Sequence, residues 1–158
     1  MGDGGFHDNA LGMATTAELC QSCVITDPSG PDNPIVYVTP EFELQTGYSA
    51  EEALGRNCRF LQGPGTDPRV VEQVRAALAG HRQVRVTLLN YRKDGSPFMN
   101  RLSIRPVFGS TGALQSFVGV QRVLSVEPRG IVSRYSTRMP AGEAASGRRS
   151  GGLERRMR

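Results

Sequence analysis

The chain has 158 residues, 38% of them hydrophobic, and a formal net charge of +4. That is room for one domain with tails and a core of modest size. No apolar run approaches the about 18 residues that mark a membrane span, and the start, MGDGGFHDNALG, carries acids and no apolar stretch, so it does not read as a signal peptide.

The Met-Gly start falls short of a myristoylation pattern, because Phe6 stands where Ser or Thr is required. Three cysteines without an export signal point to free thiols and a cytoplasmic location. The charge is uneven. Residues 127–158 hold eight arginines against three acids, which leaves residues 1–126 with eleven basic and twelve acidic groups. The basic character therefore belongs to the tail and not to the domain.

Residues 1–13 read as a disordered head, because they offer little to bury. Thr15 or Thr16 can cap a short helix within 14–22. "CVIT" and "IVYV" read as short strands around the turn chemistry of "DPSGPDNP". "PEFELQTGYSAEEALGRNCRFLQ" reads as short helical pieces broken at Gly47 and Gly55. Asp67 and Pro68 open a longer helix that Gly80 can close. Three strands follow, over about 82–93, 96–108 and 113–124, joined by "KDGS" and "GSTG" as hairpins. Two strands, a helical middle and three strands make an α+β fold with an antiparallel sheet. Residues 127–158 read as a mostly disordered basic tail, with a short amphipathic helix offered over 130–139.

Polar residues interrupt the apolar faces. Alternation puts Asn90 with Val84, Val86 and Leu88, Asn100 with Phe98, Leu102 and Ile104, and Gln121 with Phe117, Gly119 and Val123. On the long helix Val71, Val74 and Leu78 form a stripe that Arg75 shares at i+4. A buried amide without partners costs about 1–3 kcal/mol, and an unpaired buried cation costs more. Each could find a backbone partner separately, or Asn90 could lie past the buried part of its strand. One flat ligand, rich in donors and acceptors with an anionic end for Arg75, would satisfy all four together. Gly119 would let it approach the sheet closely.

These residues belong to a wider set. "NCRFLQ", followed by "LLNYRKDG", "FMNRLSIRPV" and "FVGVQ", closely resembles the light-oxygen-voltage (LOV) branch of the PAS-domain family, the flavin-binding blue-light sensors. The resemblance runs from about Cys23 to Val123, includes "ITDPSGPDNPIVYV", and implies a domain over 23–126. It implies the PAS/LOV fold, a five-stranded antiparallel sheet with short helices on one face enclosing flavin mononucleotide (FMN). It implies that Asn90, Asn100 and Gln121 bond the polar edge of the isoalloxazine. Asn57 and Gln62 would meet the ring or ribityl chain, and Arg59 and Arg75 the phosphate, which suits guanidinium geometry. Thr26 and Asn33 match polar positions near the ring. Val24, Leu61, Val71, Val74, Leu78, Leu102, Ile104, Phe117 and Gly119 would form the walls. The short stretch from Gln62 to Asp67 favours FMN over FAD, whose users in this family tend to carry a longer loop.

Taken alone, Cys58 reads as an inert core cysteine, the commonest fate of a buried thiol. The resemblance makes it the photoactive residue. Its sulfur would bond to flavin C4a after blue-light excitation, N5 would gain a proton, and the bond would break in the dark. Gln121 could answer the change at N5, because an amide offers either O or NH₂. The change would pass through the last strand to the termini. Cys58 returns unchanged, so this is not an enzyme in the turnover sense.

Cys20 and Cys23 form one C-x-x-C, a weak zinc or redox signal without a second pair. Met99 stands where many relatives carry an aromatic residue, on the outer sheet face where terminal helices and dimer partners pack in this family. No kinase, DNA-binding or phosphodiesterase motif follows the domain, so the chain resembles the short LOV proteins. These would act through a homodimer, by the sheet face or terminal helices, or through an unidentified protein partner. Two other classes stay open on the sequence: a PAS module for redox sensing or another ligand, and a nucleic-acid binder using the tail arginines. The tail lacks aromatic interleaving, which disfavours nucleic acid.

Overall fold

A computed structural model describes residues 12–126 and 132–133. Thr15 caps α1 (Thr16–Leu19) through a reciprocal capping box with Glu18. The expected helix over 14–22 is thus one turn, and Ser22 already begins β1 (Ser22–Thr26). β2 (Ile35–Val38) pairs antiparallel with it. Between them Asp32 and Asn33 take left-handed backbone, φ 63° and 50°, conformations that Asn and Asp tolerate better than most residues.

The helical middle breaks where glycine permits it. α2 (Pro40–Thr46) ends on Gly47 at φ 79°, in the left-handed cap conformation. Ser49 and Glu52 cap α3 (Ala50–Ala53). A 3₁₀ turn then covers Cys58–Leu61, and Asn57 caps it by accepting from the Arg59 N–H at 3.0 Å. α4 (Pro68–Ala79) opens with Asp67 accepting from the Arg69 N–H.

β3 (Val84–Tyr91), β4 (Pro97–Phe108) and β5 (Leu114–Val126) follow as antiparallel hairpins. The sheet runs β2-β1-β5-β4-β3, so the last long strand sits between the first and the fourth. The resulting antiparallel sheet with short helices over its inner face is the expected α+β fold. Val24, Ile35, Val38, Phe42, Ala53 and Leu61 build the core between them.

The other face is covered in part. Met13 and Ala14 pack on Cys23, Ile25 and Val118. Arg105 pins this cover, donating to both Glu18 carboxylate oxygens at 2.7 Å and to the Met13 carbonyl at 2.9 Å. Met13, read above as part of a disordered head, is therefore packed. The helix offered over 130–139 meets the described residues only at Val132 and Ser133. Those two form β6, paired with Val126 and Ser125 at the end of β5. The remainder of the head and tail lies outside the described residues.

Candidate functional site

A cavity of about 120 Å³ lies between the inner face of the sheet and the helices. Packed interiors seldom leave voids larger than a water molecule, so this space is a feature of the fold. Its walls come from five parts of the chain. β1 contributes Val24 and Thr26, the following loop Asn33, and the 3₁₀ turn with its caps Asn57, Cys58, Arg59, Leu61 and Gln62. α4 contributes Val74 and Leu78, and the hairpins Leu88, Asn90, Asn100, Leu102, Ile104, Phe117, Gly119 and Gln121.

Two of the sequence-predicted residues stand apart. Val71 and Arg75 do not line the cavity. The Arg75 side chain is 71% exposed and bonds Glu72 one turn back, at 2.5 Å. At 3.6 residues per turn, the buried stripe of α4 centres near Val74, Ala77 and Leu78. Val71 and Arg75 fall at its rim, so the i+4 relation to Val71 did not carry Arg75 inward. Leu88 is the wall residue the sequence reading missed. Its signal was present, because alternation sets it between Val86 and Asn90.

The polar groups of the cavity are unevenly satisfied. The Asn57 amide is used within the protein: its nitrogen donates to the Asp32 carbonyl at 2.7 Å while its oxygen caps the 3₁₀ turn. Asn100 donates to the Asn90 oxygen at 2.9 Å. Among the described residues, seven buried side-chain oxygens or nitrogens have no partner, and four of them, on Thr26, Asn33, Asn100 and Gln121, belong to cavity residues. Such groups are rare in native interiors. Their concentration around one space matches a polar, multidentate ligand edge.

Gly119 supports the same fit. A Cβ built there would meet nothing nearer than 3.8 Å, from Leu102 Cδ1 and the Val24 carbonyl oxygen. Protein packing alone does not demand glycine at this position, so the absent side chain leaves room in the cavity.

Cys58 sits on the wall as a free thiol, and burial pushes it up to about 12. It is therefore protonated at neutral pH. Arg59, next in the chain, is bound to Asp32: its Nη2 donates to Oδ1 at 2.7 Å, and Nη1 meets the other oxygen. That pairing holds the Asp32 carboxyl below its usual range. Arg59 lines the cavity, but its side chain is 59% exposed and its guanidinium is already paired with a carboxylate. Cys20 is exposed and Cys23 buried, each free, and neither lines the cavity.

Comparison with known proteins agrees with this architecture. The PAS-domain family matches residues 21–122. A blue-light-activated histidine kinase of Brucella anthropi is 49% identical over 123 residues, 77% of this chain and 25% of the relative. Blue-light-activated histidine kinase 1 of Erythrobacter litoralis is 49% identical over 70% of this chain and 31% of its own length. The chain thus spans about a quarter to a third of these curated relatives. Among solved structures, the light-state structure of the blue-light photoreceptor Aureochrome1 LOV is 48% identical, with TM-score 0.66, and covers 69% of this chain and 86% of its own. A LOV domain studied with a flavin analogue is 53% identical, with TM-score 0.65, and covers 66% of this chain and 78% of its own. The chain belongs to the PAS-domain family and, within it, to the LOV branch of blue-light photoreceptor domains.

Proposed function

We propose that this chain is a blue-light photoreceptor that holds FMN in the cavity and uses Cys58 as its reacting thiol. The observation that carries this is the clustering of unpartnered oxygens on Thr26, Asn33, Asn100 and Gln121 around a cavity that also bears a protonated cysteine. When bound, flavin supplies blue-light absorption and a ring carbon, C4a, to which the Cys58 sulfur can bond reversibly.

The residues of the chain then divide the work. Asn90, Asn100 and Gln121 offer amides to the polar ring edge, and Val24, Leu61, Leu102, Ile104 and Phe117 exclude water from the ring. Gln62 serves the ring or ribityl chain, and Thr26 and Asn33 offer polar groups near the ring. Arg59 is the leading phosphate partner, because it lines the cavity; it would share its guanidinium with Asp32 or exchange that partner for the phosphate, whereas Arg75 would have to leave Glu72 and turn toward a cavity it does not line. A neutral thiol keeps Cys58 unreactive in the dark, since the thiolate is the spontaneous nucleophile.

Gln121 passes the change on in this reading. It faces Ser22 across the β1–β5 ladder and Leu102 across the β4–β5 ladder. Turning its amide exchanges an acceptor for a donor next to the strand that follows α1. The output reaches the termini, where α1 and the end of β5 can meet a partner protein or a second copy.

The test is an absorption spectrum before and after blue light, for the wild type and Cys58→Ala. Reversible bleaching of a flavin band in the wild type alone supports the proposal. A flavin band that stays put in both would leave a PAS module with another task. Absence of flavin would break the reading of the cavity.

A further inference from the structure

We propose that the outer face of the sheet is a docking site for an acidic segment of a partner protein, and not for a second copy of this chain. β3, β4 and β5 together carry four arginines on that face, Arg85, Arg101, Arg105 and Arg122, and no Asp or Glu at any position. Arg105 is neutralised by Glu18. The other three are exposed and line an open groove of about 520 Å³ with Gln21, Ser103 and Val120. The only side-chain bond among the described residues for these three runs from Arg122 Nε to the Gln21 amide oxygen, at 2.8 Å.

The register makes this arrangement costly. Arg101 and Arg122 are direct cross-strand partners, and like charges directly opposite one another destabilise a sheet. Arg85 is opposite Ser103, two residues along β4 from Arg101. Among the described residues, three guanidiniums without a carboxylate partner thus stand on three adjacent strands, which lie about 4.8 Å apart. An anionic surface laid across them would turn the repulsion into attraction. Carboxylates at i, i+3 and i+4 of a helix are spaced about 5–6 Å apart, which fits the strand spacing. A second copy related by a two-fold axis would instead bring arginine against arginine, and like-charge juxtaposition opposes association.

The face has no exposed aromatic among its groove residues on which bases could stack. Val120, Ser103 and Gln21 line it beside the arginines, a mixture suited to a peptide with apolar and acidic side chains. The site lies on the opposite face of the sheet from the cavity, so this inference stands or falls separately from the chromophore.

The experiment uses the full chain and a fluorescein-labelled amphipathic peptide with glutamates at i, i+3 and i+4 and leucines between. Its lysine counterpart and a single-stranded DNA oligonucleotide are run beside it. Fluorescence anisotropy should show binding of the glutamate peptide alone, weakening as salt rises from about 50 to about 200 mM. Arg101→Glu with Arg122→Glu should lower that affinity at least about tenfold. Amide NMR shifts in the wild type give a readout that needs no variant, and should centre on Arg101, Ser103 and Arg122. Equal binding by wild type and double variant would assign the peptide to the arginine-rich tail and overturn the proposal. So would tighter binding of DNA that the same variant loses, or a wild-type dimer that the variant converts to monomer. Absence of peptide binding to the wild type overturns it as well.

Discussion

Asn100 donates its side-chain amide to the Asn90 oxygen at 2.9 Å, from one hairpin strand to the next, and is left with its own oxygen unpartnered. Asn90 in turn donates only a long 3.3 Å bond to the Leu89 carbonyl. The pair thus leaves hydrogen-bonding capacity at the cavity wall that the protein itself does not use. Removing one amide strands the other, whereas replacing both with apolar groups of similar shape is close to neutral. Asn90→Leu alone is expected to destabilise the flavin-free protein by about 1–3 kcal/mol. Asn90→Leu with Asn100→Leu should restore most of that loss while abolishing flavin retention. Urea denaturation of the flavin-free forms, with the absorbance of the purified proteins, checks both halves.

Gly119→Ala separates ligand space from protein space. The added methyl meets only ordinary contacts, the nearest at 3.8 Å, and alanine avoids the conformational freedom that weakens glycine in a strand. The flavin-free protein should be as stable as the wild type or slightly more so. Flavin content should fall, because the methyl occupies space on the cavity wall. Unchanged flavin content at unchanged stability would mean that the ligand does not approach β5 here.

Arg59 and Arg75 were read alike in the sequence, and the structure distinguishes them. Arg59 lines the cavity and Arg75 does not. A hydrogen bond to a charged group is worth about 1.5–3 kcal/mol, or roughly tenfold and more in affinity. Arg59→Ala should therefore raise the Kd for FMN about tenfold and leave that for riboflavin, which lacks the phosphate, nearly unchanged. Arg75→Ala should shift both by less than about threefold. Titration of the flavin-free protein with each flavin decides the matter, and equal losses in the two variants would restore Arg75 as a phosphate ligand.

This contrast shows where the sequence is legible. Period-two alternation is strict, so it placed Asn90, Asn100, Gln121 and the apolar neighbours on the inner face correctly. Turn and cap residues such as Gly47, Asp67 and Pro68 fixed the breaks between elements, because their backbone preferences are local. A helix stripe has a broad rim, and spacing alone could not say on which side of it Val71 and Arg75 would fall. The Met13 and Arg105 contacts join residues far apart in the chain, and no local pattern announces them. The three outer-face arginines were each visible, but only register shows that Arg101 and Arg122 stand opposite one another.

The Glu18–Arg105 pair gives the cover of the outer face an acid-sensitive contact. The Arg105 guanidinium holds the Glu18 carboxyl at about 2, from an ordinary 4.5. A lowered carboxyl stabilises the fold above its ordinary value, and that contribution is lost as pH falls toward the folded value. Thermal stability should thus decline between about pH 4.5 and about pH 2. In Glu18→Gln the stability should already be lower at neutral pH and its decline over that window shallower. Identical acid profiles for the two proteins would show that the pair contributes nothing.

Cys58 sets the opposite, alkaline limit and bears on the photochemistry. Burial raises its thiol from an ordinary 9.0 to about 12. The unfolded chain releases this proton first, so stability is fully present below about pH 9 and is lost as pH climbs toward about 12. Burial raises Cys23 to about 12 as well, so both thiols add to the decline. Cys58→Ala should flatten part of it, and Cys58→Ala with Cys23→Ala more. Because the reacting thiol stays protonated, the amplitude of light-induced bleaching should be constant from neutral pH up to about 9. A bleaching amplitude that instead rose with an apparent pKa near that of a free cysteine would show that Cys58 reacts as a thiolate, and that its burial in the cavity wall does not keep it neutral.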